Sequence, residues 1–330
     1  MPRIPLIRAS QAEPFLGPLR VRGARTAPLL EAVGIAPDLV DEDPDALVAE
    51  HTIWALADRC AKVAGSDAFG WETGLATPIG DLGAFGRRVE EAPTLGAALD
   101  LFLRAVSEHS SHARFSVIRR GGSLWFRRHG IRSLAVGAWQ VELYVLGIMV
   151  HVVRLALGAD WVPLVLTLQE RPPRGVRLPT AFRNTQVTYG AKLTAIELPS
   201  DALGEGLPEH GASPAIEEPI ALDIATSVRL VLRHTLPTGW AAVDHTARLA
   251  GVTPRTLQRW LEREGATFEQ VLDDLRREEA LGLLTTPGTT VAGLAARLGY
   301  AHPSNFTRAF RRWTGGSPTS FRERQGASTS

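Results

Sequence analysis

Residues 294–322 read LAARLGYAHPSNFTRAFRRWTGGSPTSFR, and this stretch decides the fold of the C-terminal part of the chain. Gly299 can adopt the positive φ that a tight turn between two helices requires, and Ala295 is small enough for helices to cross closely. After the turn, apolar residues recur at the spacing of one buried helix face: Phe306, Ala309, Phe310 and Trp313. The pattern predicts a helix-turn-helix unit whose second helix has a polar outer face.

The outer face of this second helix carries hydroxyl, amide and guanidinium groups, which bind phosphates and base edges in DNA. Its members are Ser304, Asn305, Thr307, Arg308, Arg311 and Arg312. The first turns of a recognition helix reach the bases, so the four residues from Ser304 to Arg308 are predicted base readers. Arg311 and Arg312 come a turn later and are predicted to contact the DNA backbone.

The same design occurs upstream, in residues 245–265, HTARLAGVTPRTLQRWLEREG. Ala247 and Gly251 repeat the spacing from a small residue to a turn glycine, and Thr253 and Pro254 suit the start of a helix. The predicted DNA-facing residues of this unit are Arg255, Thr256, Gln258 and Arg259. A single unit of this kind is equally compatible with an ordinary helical hairpin, whereas two in this order and spacing favour DNA binding.

Residues from about Pro219 to Arg324 resemble the DNA-binding domain of the AraC/XylS family of transcription regulators. The resemblance rests on three stretches: TPRTLQRWLEREG, LRREEALGLL and VAGLAARLGYAHPSNFTRAFRRWTGGSPTSFR. Two positions depart from the family pattern, because Thr246 stands where an apolar residue is usual and Ala242 where a Ser or Asp cap is common. The resemblance implies a regulator that binds double-stranded promoter or operator DNA.

Charge is distributed unevenly along the 330 residues, whose overall net charge is only +1. From Thr226 onward the chain has 14 Arg, no Lys and 9 acidic residues, a balance of +5, which leaves −4 for the first 225 positions. A basic part that follows an acidic part is typical of a nucleic-acid-binding module joined to another domain.

The first 204 residues predict mixed α and β structure. Residues 113–119 and 123–129, joined by two glycines, predict a β-hairpin, and further short strands are predicted at 164–169, 187–189 and 195–198. The apolar stretch 138–157 contains Gln140, Glu142, His151 and Arg154. Since a bilayer span needs about 20 mostly apolar residues, we interpret this stretch as a buried amphipathic helix.

Residues from about 27 to 204 resemble, more weakly, the arabinose-binding-like N-terminal domain found in one branch of the same family. The matching stretches are LLEAVGIAPDLV, DAFGWETGLATPIGDLGAFGRRVEEAPTLGAAL and AFRNTQVTYGA. The resemblance implies an effector-binding or dimerisation domain, and the family label does not imply arabinose. Four residues of the central helix are candidates for lining a pocket, with core packing or surface exposure as the alternative for each: Trp139, Tyr144, His151 and Arg154.

Features of an enzyme or a metal site are weak in this sequence. Cys60, the one cysteine, excludes a disulfide framework within the chain and fits a reducing cytoplasm. It lies in the middle of a predicted helix and is interpreted as a buried hydrophobic residue, not a nucleophile. The pair His109 and His112 has no third ligand nearby. The glycines between Gly70 and Gly86 lack the Lys and Ser/Thr of a phosphate-binding loop, so they predict close backbone packing.

The predicted architecture is therefore an α+β ligand-binding or dimerisation domain at 1–204 and an all-α domain at 219–325. The second domain has two helix-turn-helix units joined by a linker helix near 268–284, with Thr267 and Gln270 as a capping box. That helix spans about 25 Å, enough to hold two recognition helices about one DNA turn apart. A Gly/Pro/Glu-rich linker is predicted at 205–218 and a disordered tail at 326–330.

Three functions remain open from the sequence. The first is a transcription regulator that responds to a small-molecule effector, the second is a regulator whose N-terminal domain only dimerises, and the third is an enzyme domain fused to the DNA-binding module. The expected partners are double-stranded DNA, a small-molecule effector, a second copy of the chain in a homodimer, and RNA polymerase. No cofactor, metal or membrane partner is predicted.

Overall fold

The structure is a computed structural model that describes residues 4–82, 84–110, 113–129, 136–205, 222–237, 239–284, 286 and 288–327. Most of the predicted linker, His112 and the last three residues of the predicted tail lie outside the described residues, as does the side chain of His109.

The N-terminal domain is built from helices around one buried central helix. These helices are α1 (Glu13–Val21), α2 (Ala27–Glu31), α3 (Leu39–Glu42), α4 (Glu50–Ala64), α5 (Phe69–Ala76), α6 (Ala84–Glu90), α7 (Leu95–His109) and α8 (Ala138–Leu157). Short 3-10 helices cover Ala9–Ala12, Ile79–Leu82, Thr180–Phe182 and Ala202–Gly204. The central helix, α8, has the predicted bounds.

Among the described residues, α8 is the one helix long and apolar enough to cross a bilayer. In this structure 67% of its most apolar window is buried inside the protein. Packing within the N-terminal domain accounts for its composition, because the core helix of a globular protein needs the same apolar side chains.

A five-stranded sheet covers one side of α8. Its strands are β3 (Arg114–Arg120), β4 (Ser123–His129), β5 (Val165–Leu168), β6 (Gln186–Tyr189) and β7 (Thr194–Leu198), in the order β3-β4-β7-β5-β6. The pair β5–β6 is parallel and the other pairs are antiparallel. The predicted hairpin is confirmed: Gly121 and Gly122 connect β3 to β4 with φ of 61° and 84°.

Helices α5 and α8 cross backbone to backbone at glycines. A Cβ atom on Gly70 would lie 2.0 Å from the carbonyl oxygen of Gln140, and one on Gly74 would lie 2.3 Å from that of Tyr144. The Gly70 N–H donates to Oε1 of Gln140 at 2.8 Å across the same crossing. The glycine-rich stretch therefore serves close packing, as the sequence predicted.

A small ribbon that the sequence analysis did not predict ties the two domains together. Strand β1 (Leu6–Arg8) pairs antiparallel with β2 (Leu47–Ala49). Its buried residues Ile4, Leu6 and Ala49 belong to the same apolar cluster as Ile224 and Val228 of the C-terminal domain. Strands of three residues are too short to show a period in the sequence, which explains why the ribbon was missed.

The C-terminal domain is all helical. Its helices are α9 (Ile224–Thr235), α10 (Val243–Leu249), α11 (Pro254–Glu262), α12 (Phe268–Leu284), α13 (Val291–Arg297), α14 (Pro303–Thr314) and α15 (Pro318–Ala327). The pairs α10–α11 and α13–α14 are the two helix-turn-helix units, and α12 lies between them. Gly251 and Gly299 adopt the predicted positive φ in the two turns, 66° and 70°.

The predicted caps of the C-terminal helices are present. The hydroxyl of Thr253 accepts from the Thr256 N–H at 3.2 Å at the start of α11. At the start of α12, the Gln270 N–H donates to Thr267 Oγ1 at 3.2 Å and the Thr267 N–H donates to Gln270 Oε1 at 2.8 Å, a complete capping box. Helix α12 has 17 residues, a length of about 25 Å.

The crossing of α5 and α8 predicts a sharp difference between two glycine substitutions. Gly74→Ala places a methyl group against the Tyr144 carbonyl and should cost about 1–3 kcal/mol or more. Gly282→Ala is the matched control, because Gly282 lies in exposed α12 with no atom within 4 Å of the new Cβ. It should stabilise the protein by about 1 kcal/mol through helix propensity. Urea unfolding of both variants is the measurement, and a neutral Gly74→Ala would contradict the close crossing.

Candidate nucleic-acid interface

The two recognition helices, α11 and α14, bury equivalent faces. Leu257 and Leu261 of α11 are fully buried, and Phe306 and Phe310 occupy the same positions on α14. Trp260 and Trp313 lie on these faces but are half-buried, at the edge of their clusters and not at the centre. The buried faces leave the same positions of both helices pointing outward.

The outward positions carry the residues that the sequence analysis singled out. The exposed ones are Arg255, Gln258, Arg259, Ser304, Asn305, Arg308, Arg311 and Arg312, while Thr256 and Thr307 are half-buried. Together they supply five guanidinium groups and several amide and hydroxyl groups on the outward faces of the two recognition helices. Such groups bind phosphates and base edges.

Four of these polar side chains already have partners within their own helix or its N-cap. The hydroxyl of Thr307 donates to the Pro303 carbonyl at 3.0 Å, and that of Thr256 lies 3.0 Å from the hydroxyl of the cap residue Thr253. Arg308 donates through Nη2 to Oδ1 of Asn305 at 2.8 Å. This contact orients the guanidinium and leaves the Asn305 amide nitrogen free to donate.

Asp273 of the linker helix α12 contacts Arg312, the second of the two late arginines of α14. It accepts from Arg312 Nη2 at 2.6 Å through Oδ1 and from the Trp313 indole N–H at 2.8 Å through Oδ2. The side chain of Arg312 is 64% exposed despite this contact. Arg312 therefore fixes α14 on α12 while it still faces solvent, a role that the sequence analysis did not identify.

A second contact from α12 holds the turn of the second unit. Arg276 donates through Nε to the Leu298 carbonyl at 2.9 Å, and its guanidinium carbon lies 4.5 Å from the centre of the Tyr300 ring. Asp273 and Arg276 are three residues apart and so share one face of α12. The spacing indicates that the two side chains share a helix face, but it does not predict which distant residues they contact.

Polar contacts also join the first unit to α9, and α9 in turn to α12. The carboxylate of Glu264 accepts from the backbone N–H groups of Ile224 and Ala225 and so caps α9. Arg229 and Arg233 of α9 both pair with Glu278 of α12. Thr246, which departs from the family pattern, is fully buried, and its hydroxyl has no hydrogen-bond partner within the described part of the chain.

The first unit also contacts the N-terminal domain directly. A Cβ atom on Gly251, in the turn of this unit, would lie 3.0 Å from the His51 ring at the start of α4. On the adjacent surface, a Cβ atom on Gly34 would lie 3.1 Å from the Trp240 ring, which stacks edge-on against His245 at 4.6 Å. The turn before α11 is therefore packed against helix α4 of the other domain.

A cavity of about 100 Å³ lies in the N-terminal domain between α1, α4, α7 and α8 and the β3–β4 hairpin. Its walls are mainly apolar and aromatic, and its ionisable residues are Glu50 and Arg128. Glu50 is the first residue of α4, immediately before His51. Glu50 thus lines the cavity, and the next residue, His51, contacts the turn of the first unit.

Of the four predicted pocket residues, one lines this cavity, namely Tyr144. His151 and Arg154 line a separate depression near the end of α8, where Arg154 Nε donates to the Trp161 carbonyl at 2.8 Å. The sequence analysis missed Glu50 and Arg128. In strand β4 the alternate residues Leu124, Phe126 and Arg128 point inward. A charged residue at one of these inward-facing positions was the signal for Arg128.

Cys60 is fully buried in the N-terminal core, and burial raises the pKa of its thiol to about 12. The thiolate is the nucleophilic form of cysteine. Cys60 therefore behaves as the buried hydrophobic residue that the sequence predicted.

Comparisons with known proteins agree with this geometry. The family described as the arabinose-binding domain of AraC transcription regulators, N-terminal, matches residues 23–207, and a helix-turn-helix domain matches residues 246–324. The chain belongs to the AraC family of transcription regulators. The expected fold class, a mixed α/β domain followed by a helical DNA-binding domain, is thereby confirmed, and DNA is a partner.

Individual relatives cover the chain to different extents. The ornithine utilization regulator of Pseudomonas aeruginosa is 25% identical over 96% of both chains. The transcriptional regulator VqsM of the same organism is 38% identical over 88 residues, 27% of each chain. Among solved structures, the transcriptional regulator CdpR from P. aeruginosa is 20% identical, with 95% of this chain and 98% of that chain covered and a TM-score of 0.43.

The contact between the domains predicts a stability that depends on pH. Burial, and then the charge of Arg248, lowers the pKa of His245 from 6.5 to about 4. The unfolded chain therefore binds more protons than the folded chain between these values, so this contribution is complete above pH 6.5 and is lost as the pH falls toward 4. The melting temperature should drop across this window.

His245→Phe keeps an aromatic ring against Trp240 and has no proton to gain. It should remove part of the pH dependence, and the exposed His302→Gln should leave it unchanged. Melting temperatures of the three proteins between pH 7 and pH 4.5 are the measurement. Equal pH profiles for the parent and His245→Phe would contradict a neutral His245 in the folded state.

Proposed function

We propose that this AraC-family regulator reads two successive major-groove segments of one operator, one with each recognition helix, under the control of a small-molecule effector. Residues 219–325 are the DNA-binding domain in this proposal. Residues 1–204 bind the effector and form a homodimer, and 205–218 is the linker. RNA polymerase is the proposed further partner at the promoter.

The proposal rests on one observation: the two recognition helices expose equivalent faces to solvent. Helices α11 and α14 present equivalent positions to solvent, and α12 contacts the second unit through Asp273 and Arg276. Successive major-groove segments on one side of DNA lie about 34 Å apart. A linker helix of about 25 Å, together with the width of the helices beside it, suits that spacing.

The proposed roles of the outward residues follow from their place along each helix. The base readers are Arg255, Thr256, Gln258, Arg259, Ser304, Asn305, Thr307 and Arg308, which occupy the first turns. Arg311 and Arg312 lie a turn later and contact phosphates, with Arg312 also holding α14 on α12. The two threonines contribute through their methyl groups, since their hydroxyls have partners within the helix.

A second candidate function is a regulator whose N-terminal domain only dimerises. The cavity favours effector binding, because a domain that served dimerisation alone has no need of a cavity with charged residues in its wall. The direct packing of His51 on the turn before α11 gives an effector a short route to the DNA-binding face. An enzyme is the least supported alternative, since burial keeps the Cys60 thiol protonated.

Binding-site selection separates base readers from phosphate contacts. Arg259→Ala and Arg308→Ala should each cost about 1–3 kcal/mol and relax the preference at one or two base pairs. Arg311→Ala should weaken binding to all sequences alike and lower the slope of log K against log salt by about one. The measurements are selected-sequence profiles and salt titrations of the full-length variants.

The matched control is Arg263→Ala, an exposed arginine at the end of α11 beyond the proposed base readers. It should leave the selected motif unchanged. If Arg259→Ala and Arg308→Ala both select the same DNA motif as the parent protein, the assignment of base readers is wrong. A motif that is lost with Arg308 but unaffected by Arg259 would mean that only the second unit reads bases.

The contact of Arg312 with Asp273 predicts energetic coupling between these two residues. Asp273→Ala and Arg312→Ala should each destabilise the protein by roughly 1 kcal/mol, because each removes a charge-assisted hydrogen bond between α12 and α14. The double variant should cost clearly less than the two single effects together. When Asp273→Ala is combined with Arg311→Ala, the changes in the free energy of unfolding should be additive. Additive changes in both pairs would contradict the contact between Asp273 and Arg312.

A further inference from the structure

Two charged side chains in the cavity wall of the N-terminal domain have buried polar atoms that need a partner. Arg128 is 4% exposed and Glu50 is 4% exposed, and both line the cavity. Nε of Arg128 and Oε2 of Glu50 have no hydrogen-bond partner within the described part of the chain. Buried polar atoms without partners are rare in folded proteins, because each costs about 1–3 kcal/mol. A cavity bordered by two of them is suited to a ligand with polar atoms at that end.

The charges around Arg128 specify the kind of group that fits. Arginine remains protonated and only donates hydrogen bonds, so a ligand atom beside it must be an acceptor. Its nearest carboxylate oxygen is Oε2 of Glu142, at 3.7 Å from Nη1. The other oxygen of Glu142 already accepts from the Gln169 N–H at 2.9 Å and the Thr194 hydroxyl at 2.5 Å. Glu142 is thus largely committed elsewhere, and a ligand anion would complete the set of acceptors around the guanidinium.

Glu50 supports an anion and not a cation. Burial raises the pKa of its carboxyl group, and the positive charge of Arg128 offsets only part of that effect. A protonated carboxyl group can donate one hydrogen bond to a ligand oxygen. Two donors, one of them charged, then face the same end of the cavity.

The remaining wall is mainly apolar, with Gln11, Ser110 and Tyr144 as its polar residues, and it disfavours strongly polar ligands. It includes Phe15, Ile53, Trp54, Phe102, Phe115 and Val141. A sugar would place several hydroxyl groups against these apolar side chains, and each without a partner would reduce affinity. The volume of about 100 Å³ is below the 150 Å³ of a cavity that holds benzene, so a ligand of about six non-hydrogen atoms is at the upper limit unless the walls move.

We propose that this cavity binds a small, largely apolar monocarboxylic acid, whose carboxylate contacts Arg128 beside Glu50 and whose hydrocarbon part lies against the aromatic wall. The inference gives a chemical class to the effector and so rests on the proposed function. It assigns no biological source to the acid. Butanoate, with about six non-hydrogen atoms, matches this size, and pentanoate and hexanoate test whether the walls move to admit a longer chain.

The test measures binding of butanoate, pentanoate and hexanoate to the full-length protein by calorimetry and by the shift in melting temperature. Pentanamide and 1-pentanol are the neutral controls of the same shape, and L-arabinose and L-ornithine test polar alternatives. At least one acid should bind, and its affinity should exceed that of the matching neutral compound at least tenfold. No binding by any acid at about 10 mM, or equal binding by the neutral compounds, would overturn the proposal.

Variants locate the site. Arg128→Gln should weaken binding of the acid at least tenfold, whereas Glu50→Gln, which retains a neutral donor, should change it by less than about threefold. Because Arg128 is buried and Arg128→Gln alone could disturb folding, Val145→Phe provides a second test: it leaves Arg128 in place and fills the cavity from its half-buried edge. A folded Val145→Phe that binds the acid like the parent would show that the acid binds elsewhere.

The DNA-binding measurements keep the two proposals apart. If no acid binds but the full-length protein still selects a two-segment operator that depends on Arg259 and Arg308, only the ligand class is wrong. If an acid binds at Arg128 but the protein selects no such operator, the proposed reading of DNA is wrong and the cavity assignment remains. A ligand of the proposed kind should also change operator affinity in the parent and not in Val145→Phe.

Discussion

The two domains of this regulator meet in one shared apolar core. Ile4, Leu6 and Ala49 of the N-terminal domain are buried with Ile224 and Val228 of α9. Because apolar surface buried from water gives about 25 cal/mol per Å², separating the domains would expose a hydrophobic patch on each of them. The first helix-turn-helix unit is therefore held in a defined position against the domain that carries the cavity, and its orientation depends on that contact.

Within the C-terminal domain, α12 plays the corresponding part for both units. It pairs with α9 through Glu278, binds the second turn through Arg276 and holds the end of α14 through Asp273. These are polar contacts over apolar packing, so they fix direction more than they add stability. A recognition helix can reach base edges only when its direction is fixed, and this explains why charged residues of α12 contact the turn and the helix end.

The N-terminal domain combines a close backbone crossing with a cavity. The backbones of α5 and α8 touch at Gly70 and Gly74, where no side chain can be accommodated. The cavity lies on the other flank of α8 and has two buried polar atoms without partners at Glu50 and Arg128. Glu50 precedes His51, which packs on the turn at Gly251, so the cavity wall and the contact with the first unit lie at consecutive positions of the chain.

The sequence by itself determined the repeated helix-turn-helix pattern, the helix caps, the central helix and the hairpin, because each depends on residues within about 20 positions of one another. It also determined which faces of α11 and α14 are buried, since helical periodicity fixes them. Only the tertiary structure decided the contacts between distant residues: the ribbon that joins the domains, the pairing of Asp273 with Arg312, and the meeting of Glu50 with Arg128 around one cavity. These contacts join residues far apart in the chain, and a local pattern carries no information about which distant surface it will face.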